Sequence, residues 1–354
     1  MEDRVIYIGM DLGSFKTSVA SSNGRRDELY SAVGWPKDHV ARTMLGREVI
    51  FGDDIMEQRL ALDVVRPFEK GVLKYNDGPD MSEEQLERHK KAAKLLVEHA
   101  VTMTNPPEGV PVYGVIGAPS RATILNKRCI MEAAHDAMDA VVIVPEPFSV
   151  AYGMNRINGT LVIDIGAGTV DICPMYGTYP KEEDQVTIPI GGDAIDERFL
   201  SLLEEAHPDA RLSLNMARSI KEKHGFVHDV NEKAVVTLPV GGQPRQFDIT
   251  DQLKEACRMI VDPIVEGVQE VIARFDPEFQ RPMLKNILLG GGGSQLNGLD
   301  KLIEDSLEGY GGANVTRVYD SVFAGAVGSL KMAMGMPNDY WEKIRHLDQQ
   351  RAAA

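Results

Sequence analysis

The chain has 354 residues, of which 43% are apolar and 26% are charged, and this composition excludes a disordered or fibrous protein. Its formal net charge of −15 argues against a general nucleic-acid binder, because such proteins gain affinity from basic patches. Three widely spaced cysteines, Cys129, Cys173 and Cys257, argue against a disulfide framework and favour a reducing, cytoplasmic location. The length predicts two compact domains or lobes.

Apolar runs of strand length recur beside glycine turns and alternate with helical patterns. The predicted strands cover 5–9, 112–117, 140–144, 161–165 and 286–290. The predicted helices cover 82–102, 121–138, 147–155, 193–205, 216–224 and 249–274, and Ser82 with Gln85 forms a capping box for the first of them. Strands that alternate with helices predict an α/β fold in which sheets are packed between helices.

No targeting or membrane signal is apparent in the sequence. No stretch approaches the roughly 18–20 consecutive apolar residues that a membrane-spanning helix needs. The first residues include acidic Glu2 and Asp3, and the turn at 105–109 is polar. We therefore expect neither a signal peptide nor direct membrane insertion.

One internal similarity links the two halves of the chain. Residues 8–14 and 162–169 each consist of an apolar run that ends in Asp-x-Gly, followed by a hydroxyl residue. A second strand-like run follows each of them, at 18–20 and at 171–173. The pattern predicts two hairpins with tight glycine turns, one in each of two similar lobes.

The two hairpins carry the residue types that bind a nucleotide's phosphates. Glycine permits close backbone approach, and backbone N–H groups in such turns can point at an anion. The predicted phosphate-binding residues are Gly13, Ser14, Gly166, Gly168 and Thr169. Because Mg²⁺ is usually held by one or two carboxylates and phosphate oxygens, the paired Asp11 and Asp164 predict a magnesium site. Either hairpin alone is weak support, since Asp-x-Gly is also common turn chemistry.

A third glycine cluster follows the apolar run at 286–289. It comprises Gly290, Gly291, Gly292 and Gly293 and precedes Ser294, a candidate helix cap. The cluster lacks the Walker pattern, and the N-terminal turn lacks the GxGxxG of dinucleotide-binding folds. Its functional interpretation is a flat surface for a nucleoside; the alternative is a flexible turn.

Together, these motifs resemble the superfamily of actins, sugar kinases and heat-shock ATPases. Further segments resemble the bacterial actins of the MreB type: Arg66-Pro67 with Gly71-Val72, Glu146-Pro147, Gly191-Gly192-Asp193 and Ile220-Lys221-Glu222. Others resemble the magnetosome-associated members of that group: 33–38, 45–47, 164–173, 183–187 and 340–341. The resemblance spans nearly the whole chain.

The resemblance implies the four-subdomain actin fold, in which two lobes enclose a cleft for ATP or ADP with Mg²⁺. By position, subdomain IA would contain 1–31, 68–154 and 325–354, and subdomain IB would contain 32–67. Subdomain IIA would contain 155–190 and 275–324, and subdomain IIB would contain 191–274. The length leaves no room for the extra domain of a heat-shock chaperone.

Residue roles follow from the resemblance by position. Glu146 falls where bacterial actins carry a catalytic Glu, while its position beside two prolines is equally typical of a helix N-terminus. Asp164 would share the catalytic role as a metal-side carboxylate. Lys221 and Glu222 fall where actins clamp the adenosine. The resemblance also implies that Gly191 and Gly192 are cofactor-binding residues.

At three positions the predicted roles have an alternative or the sequence departs from that of the relatives. Lys16 would reach a phosphate from the first hairpin, although an exposed lysine is an equally good interpretation. Phe15 stands where relatives have a small or polar residue, and Val170 stands where they have a second threonine. If that second hydroxyl positions water, hydrolysis would be slower in this chain.

The implied function is an ATPase that polymerises head to tail into a cytoplasmic filament, coupling hydrolysis to turnover. Such a cytoskeletal track would align magnetosomes through magnetosome adaptor proteins, without direct binding to nucleic acid and without direct membrane insertion. The alternatives are a plasmid-partitioning actin, an MreB-type cell-shape actin and a small-molecule kinase of the same superfamily.

Overall fold

The structure is a computed structural model that describes residues 5–69, 72–73, 82–120, 122, 124–229 and 233–352. The chain divides into two compact units. Unit 1 comprises Met1–Arg156 with Val322–Ala354, and unit 2 comprises Ile157–Ser321. The finer division into four subdomains stays a prediction. Gly71 of the MreB-like motif and the acidic residues Glu2 and Asp3 lie outside the described residues.

The described chain alternates between strands and helices, which confirms the α/β prediction. The strands are β1 (Ile6–Leu12), β2 (Lys16–Ser21), β3 (Arg26–Tyr30), β4 (Val33–Pro36), β5 (Leu62–Val65), β6 (Phe68–Glu69), β7 (Val72–Leu73), β8 (Val112–Ala118), β9 (Ala140–Pro145), β10 (Asn158–Ile165), β11 (Val170–Tyr176), β12 (Val186–Ile188), β13 (Val235–Val240), β14 (Gln243–Asp248), β15 (Ile287–Gly290) and β16 (Val315–Arg317). The helices are α1 (His39–Leu45), α2 (Asp53–Gln58), α3 (Glu83–Met103), α4 (Ile124–Ala134), α5 (Glu146–Gly153), α6 (Gly192–Ala206), α7 (Leu214–His224), α8 (Thr250–Arg258), α9 (Val261–Ile272), α10 (Pro277–Leu284), α11 (Leu299–Ser306), α12 (Ser321–Gly335) and α13 (Asn338–Ala352).

Unit 1 is built on a five-stranded sheet in the order β3-β2-β1-β8-β9. β1 and β2 form the predicted antiparallel hairpin, and β8 and β9 run parallel to β1. Every residue of β8 is buried, as expected for a parallel strand that is covered on both faces. One face packs against α3 and α4 through residues such as Met10 and Leu96; the other packs against α12 and α13, where Tyr113 stacks on Trp341.

Unit 2 repeats this plan with a five-stranded sheet in the order β12-β11-β10-β15-β16. β10 and β11 form the second predicted hairpin, in which Asp164 lies opposite Asp171, and β15 runs parallel to β10. Ile163 and Ile165 of β10 pack with Phe199 of α6 and Ile264 of α9 in one continuous core. In both units the hairpin therefore forms the centre of a buried sheet.

Most of the elements that were predicted from local signals form, with small errors at their ends. The capping box at α3 is confirmed, since the Ser82 hydroxyl accepts from the Gln85 amide and the Gln85 side chain accepts from the Ser82 amide. The single helix predicted over 249–274 is wrong, because the chain forms α8 and α9 instead. Pro263 accounts for the break: it has no N–H to donate to Met259, and its ring clashes with that carbonyl in a continuous helix.

Among the described residues, no helix combines the length and apolar character required to cross a bilayer. Residues 121 and 123, at the start of the helix predicted over 121–138, lie outside the described part; α4 is described from Ile124.

Candidate functional site

The turn between β1 and β2 in unit 1 is tight and is held by a side chain. A Cβ atom on Gly13 would lie 2.5 Å from the Lys16 carbonyl oxygen, so only glycine allows this turn. Ser14 is buried, and its carbonyl oxygen accepts a hydrogen bond of 2.9 Å from Nη2 of Arg66. The guanidinium carbon of Arg66 also lies 5.6 Å from the ring centroid of Phe15.

Asp11 precedes this turn and faces α12. A Cβ atom on Gly325 would lie only 2.4 Å from Oδ2 of Asp11, so the glycine is what allows the helix to approach the carboxyl group. Burial raises the pKa of Asp11 to about 6, since removal from water penalises the charged form. A cation bound at this carboxyl group would favour the charged form again.

Glu146 begins α5, with Pro147 in its first turn, as the sequence predicted. A Cβ atom on Gly117 of β8 would lie 3.2 Å from Cγ of Glu146. Gly117 is in turn the neighbour of Asp11 in the register between β1 and β8. Glu146 and Asp11 are thereby brought to the same end of the unit 1 sheet.

Lys16 is placed in an ion pair. Its Nζ lies 2.9 Å from Oε1 of Glu28, and both side chains are partly exposed. Ser18 lies opposite both Asp11 and Glu28, and Lys16 is two residues from Ser18, so Lys16 shares the sheet face of Asp11. Its predicted contact with a phosphate stays a prediction.

The turn between β10 and β11 in unit 2 is held by backbone groups. Its ends close through a hydrogen bond from the Gly166 amide to the Thr169 carbonyl. The amides of Gly192 and Asp193, at the start of α6, donate to the carbonyls of Gly166 and Ala167 at 3.0 and 2.8 Å. The predicted residues Gly166, Gly168, Thr169, Gly191 and Gly192 are thus brought together.

The hydroxyl group of Thr169 has a defined direction. It donates to Oδ2 of Asp171 at 3.1 Å, while Thr187 donates to Oδ1 of the same carboxylate at 2.5 Å. Asp171 is almost fully buried. Since the hydroxyl hydrogen of Thr169 points at Asp171, its oxygen lone pairs are left to accept from water or to bind a cation.

Asp164 meets the glycine run at the end of β15. The Gly291 backbone adopts φ +74°, and a Cβ atom there would lie 2.4 Å from Oδ1 of Asp164. Ser294 donates its hydroxyl hydrogen back to the Gly291 carbonyl at 2.6 Å. Gly292 has open space around it, whereas a Cβ atom on Gly293 would meet Ile165. The run is therefore a shaped loop beside the carboxylate.

Lys221 is engaged with α6. Its Nζ donates to the Gly192 carbonyl at 2.9 Å and lies 2.7 Å from Oδ1 of Asp196. Arg218 bridges Asp196 and Asp193, at 2.8 Å to each. Burial raises the pKa of the fully buried Asp196, and the two cations oppose that rise. This buried network fixes the start of α6, and with it the second turn.

Glu222, next to Lys221 on α7, is exposed. The end of α7 is joined to the segment that follows the glycine run, since the Asn297 amide donates to the Gly225 carbonyl and the Val227 amide donates to the Asn297 carbonyl. The end of α7, which carries Lys221 and Glu222, is therefore connected to the segment that follows the Gly291–Ser294 loop in unit 2. The nucleoside-binding role of these residues stays a prediction.

Each hairpin, taken by itself, offers donor atoms that suit magnesium. Asp11 in unit 1, and Asp164 with the Thr169 hydroxyl in unit 2, offer hard oxygen atoms, the ligand type that Mg²⁺ prefers. Within the described ranges, no group of three or more His, Cys, Asp or Glu side chains is arranged to hold a metal. An ion held by one carboxylate and by phosphate oxygens needs no such cluster.

Sequence analysis missed several residues that shape the site. Arg66 was predicted only as part of a motif, without a role, and its contact with Ser14 depends on chain folding across 52 positions. Asp171 was noted only as the start of a strand. Arg218 and Asp196 carry no local signal, because an ion pair between two helices has no fixed spacing.

Comparison with known proteins shows the family to which the chain belongs. The profile described as "MreB/Mbl protein" matches residues 7–334. The chain belongs to the MreB/Mbl family. It is 36% identical over 339 residues to the "Actin-like protein MamK" of Paramagnetospirillum magneticum, covering 96% of this chain and 95% of that protein.

Solved structures of MamK show the same fold. A structure described as a "MamK double helical filament" matches with a TM-score of 0.89 and 36% identity, over 94% of this chain and 100% of that chain. A non-polymerising MamK mutant bound to AMPPNP matches with a TM-score of 0.72 and 36% identity, over 94% of this chain and 99% of that chain. The predicted actin-like fold of this MreB/Mbl-family chain is confirmed, as is its similarity to the magnetosome-associated actins.

Proposed function

We propose that this chain is an ATP-dependent, filament-forming bacterial actin that hydrolyses ATP with Mg²⁺. The observation that carries the proposal is its likeness to MamK over nearly the whole length of both chains, including a MamK filament. An open filament requires a head-to-tail contact that does not close on itself, so the partner in the polymer is a second copy of the chain.

The hairpin turns supply the binding chemistry in this proposal. Gly13 and Ser14 of unit 1, with Gly166, Gly168 and Thr169 of unit 2, offer backbone and hydroxyl groups to phosphates. Likeness to a MamK mutant bound to AMPPNP supports an adenine nucleotide as the ligand. The loop at Gly291–Ser294 and the end of α7 would take the nucleoside.

Hydrolysis would depend on four side chains. Glu146 would orient or deprotonate the attacking water, and Thr169, whose hydroxyl hydrogen is committed to Asp171, would accept a hydrogen bond from a water molecule. Asp11 and Asp164 would hold Mg²⁺, which neutralises phosphate charge when bound. The single hydroxyl at Thr169, beside buried Val170, is consistent with slow turnover.

The cellular role we propose is a cytoplasmic track that aligns magnetosomes through adaptor proteins. MamK similarity supports it more directly than a plasmid-partitioning, cell-shape or kinase role. A fluorescent fusion in a magnetosome-forming cell, followed by affinity capture from isolated magnetosomes, tests this part. Filaments that do not lie along the magnetosome chain would contradict the magnetosome role, but they would not contradict the proposal that the chain polymerises.

Sedimentation and phosphate release, measured on one sample with Mg²⁺ and ATP, test the biochemical proposal. The parent protein should pellet with ATP and release phosphate. Glu146→Ala should still pellet but hydrolyse about 10²–10⁴-fold more slowly, because it loses a general base. Its polymer should therefore persist.

Asp164→Ala should also nearly abolish hydrolysis, through loss of a carboxylate beside the metal. Exposed Glu132 on α4 provides the matched control, since Glu132→Ala removes a carboxylate that belongs to neither hairpin. A parent that never pellets with ATP at any salt concentration would sink the filament proposal. Normal hydrolysis by Glu146→Ala would return this residue to the role of a helix-terminal charge.

A further inference from the structure

Phe15 contacts three other groups around the first turn. Its ring lies 5.0 Å from that of Tyr30 in an edge-to-face arrangement, and the Arg66 guanidinium lies 5.6 Å from its centroid. Its carbonyl accepts from the Ser31 amide at 2.8 Å. The Phe15 side chain is thus part of a defined cluster.

Arg66 is itself held on both sides. It directly follows β5, which pairs with β4, so the guanidinium group is tied to the 32–67 segment. Val65 before it and Phe68 after it are buried in the core that also contains β1. Pro67 restricts the backbone further. The position of Arg66 is therefore set by the segment and by the core rather than by the turn.

The hydrogen bond from Arg66 determines how a peptide group of the turn points. In a planar trans peptide, the carbonyl of one residue and the N–H of the next point in opposite directions. By holding the Ser14 carbonyl, Arg66 fixes the direction of the Phe15 N–H. Backbone N–H groups in such turns are the groups that bind anions.

We propose that Arg66 and Phe15 act as one positioning unit, which fixes the peptide between Ser14 and Phe15 for phosphate binding and links the 32–67 segment to it. The inference rests on the proposed nucleotide binding and adds its regulation by that segment. Arginine suits the role because its planar guanidinium donates a hydrogen bond and stacks on an aromatic ring at the same time, which lysine cannot do.

Binding of AMPPNP with Mg²⁺ provides the first test. Arg66→Lys and Phe15→Leu should each raise the Kd about tenfold, because each removes support for the same peptide group. The double variant should bind no worse than either single variant, since coupled residues are not additive. Phe15→Tyr keeps the ring and should bind as the parent does. Arg59→Lys, an exposed arginine of the same segment, is the matched control.

A second test needs no nucleotide. With ¹⁵N-phenylalanine labelling, the Phe15 amide resonance, assigned by its loss in Phe15→Tyr, should shift in Arg66→Lys and stay unchanged in Arg59→Lys. An unshifted resonance overturns the positioning role, even in a parent that binds no AMPPNP. The positioning role is also overturned if Arg66→Lys and Phe15→Leu bind AMPPNP with Kd values within twofold of the parent value. It is overturned as well if the increases in Kd of the two single variants multiply in the double variant. If the parent protein does not bind AMPPNP but the Phe15 resonance shifts in Arg66→Lys, the result contradicts the proposed nucleotide binding and not the positioning of the peptide group by Arg66.

Discussion

The two hairpin turns share a sequence pattern, but they are held in different ways. In unit 1, side chains support the turn: Arg66 donates to the Ser14 carbonyl and packs on Phe15. In unit 2, the first amides of α6 donate to the carbonyls of Gly166 and Ala167. The same Asp-x-Gly motif therefore has a side-chain support in one unit and a helix support in the other.

This difference predicts where each turn is sensitive to change. A turn held by an arginine and an aromatic ring should respond to changes in those two side chains. A turn held by a helix start should respond to whatever moves that helix, including residues far from any phosphate. The second turn thus depends on the ion network of Arg218, Lys221 and Asp196.

The largest expected effect follows from removing the centre of that network. Asp196→Ala leaves the buried cations of Arg218 and Lys221 without their shared carboxylate, which should cost about 3–5 kcal/mol of stability in unit 2. Urea unfolding, with AMPPNP binding in parallel, measures the loss. Asp209→Ala, at an exposed position of the same unit, is the control. Unchanged unfolding would mean that α6 does not depend on the network.

A smaller effect is expected from crowding the contact between α6 and the turn. The Cβ atom of Gly191→Ala would lie 2.6 and 2.7 Å from the carbonyl oxygens of Ala167 and Gly166. Such overpacking should cost about 1–3 kcal/mol and weaken nucleotide binding. Gly309→Ala, where the added atom meets open space, serves as the control for thermal unfolding. Equal melting of both variants would contradict a helix-supported turn.

The smallest expected effect is a pH dependence of the stability of unit 1, which arises from a stacked histidine. His99 stacks on Phe51 at 4.0 Å, and burial lowers its pKa, opposed by the charge of Asp27. The unfolded chain therefore binds a proton more readily, so stability should fall as the pH drops below about 6.5, the ordinary value for histidine.

The midpoint of urea unfolding at pH 7.5 and pH 5.5 measures this loss. His99→Gln should reduce the difference between the two midpoints, whereas His346→Gln, at an exposed position, should leave it as in the parent. Equal pH dependence in all three proteins would show that the stacked ring titrates as it does in the unfolded chain.

The hairpins were predictable because their determinants are local. An apolar run that ends in Asp-x-Gly needs only its own residues to form a strand and a tight turn, and both hairpins form as predicted. The prediction of a single helix over 249–274 was wrong because it took no account of Pro263, whose missing N–H and ring clash interrupt the helix in the structure.

The sequence by itself determined the α/β class, the two hairpins, the glycine loop after β15 and the helix start at Glu146, since each depends on neighbouring residues. Only the tertiary structure decided which groups hold the turns. Arg66 reaches Ser14 across 52 positions, and Arg218 reaches Asp196 across 22. Such contacts depend on how sheets and helices pack, because hydrogen bonds and ion pairs between elements require distance and direction in space, which no spacing along the chain encodes.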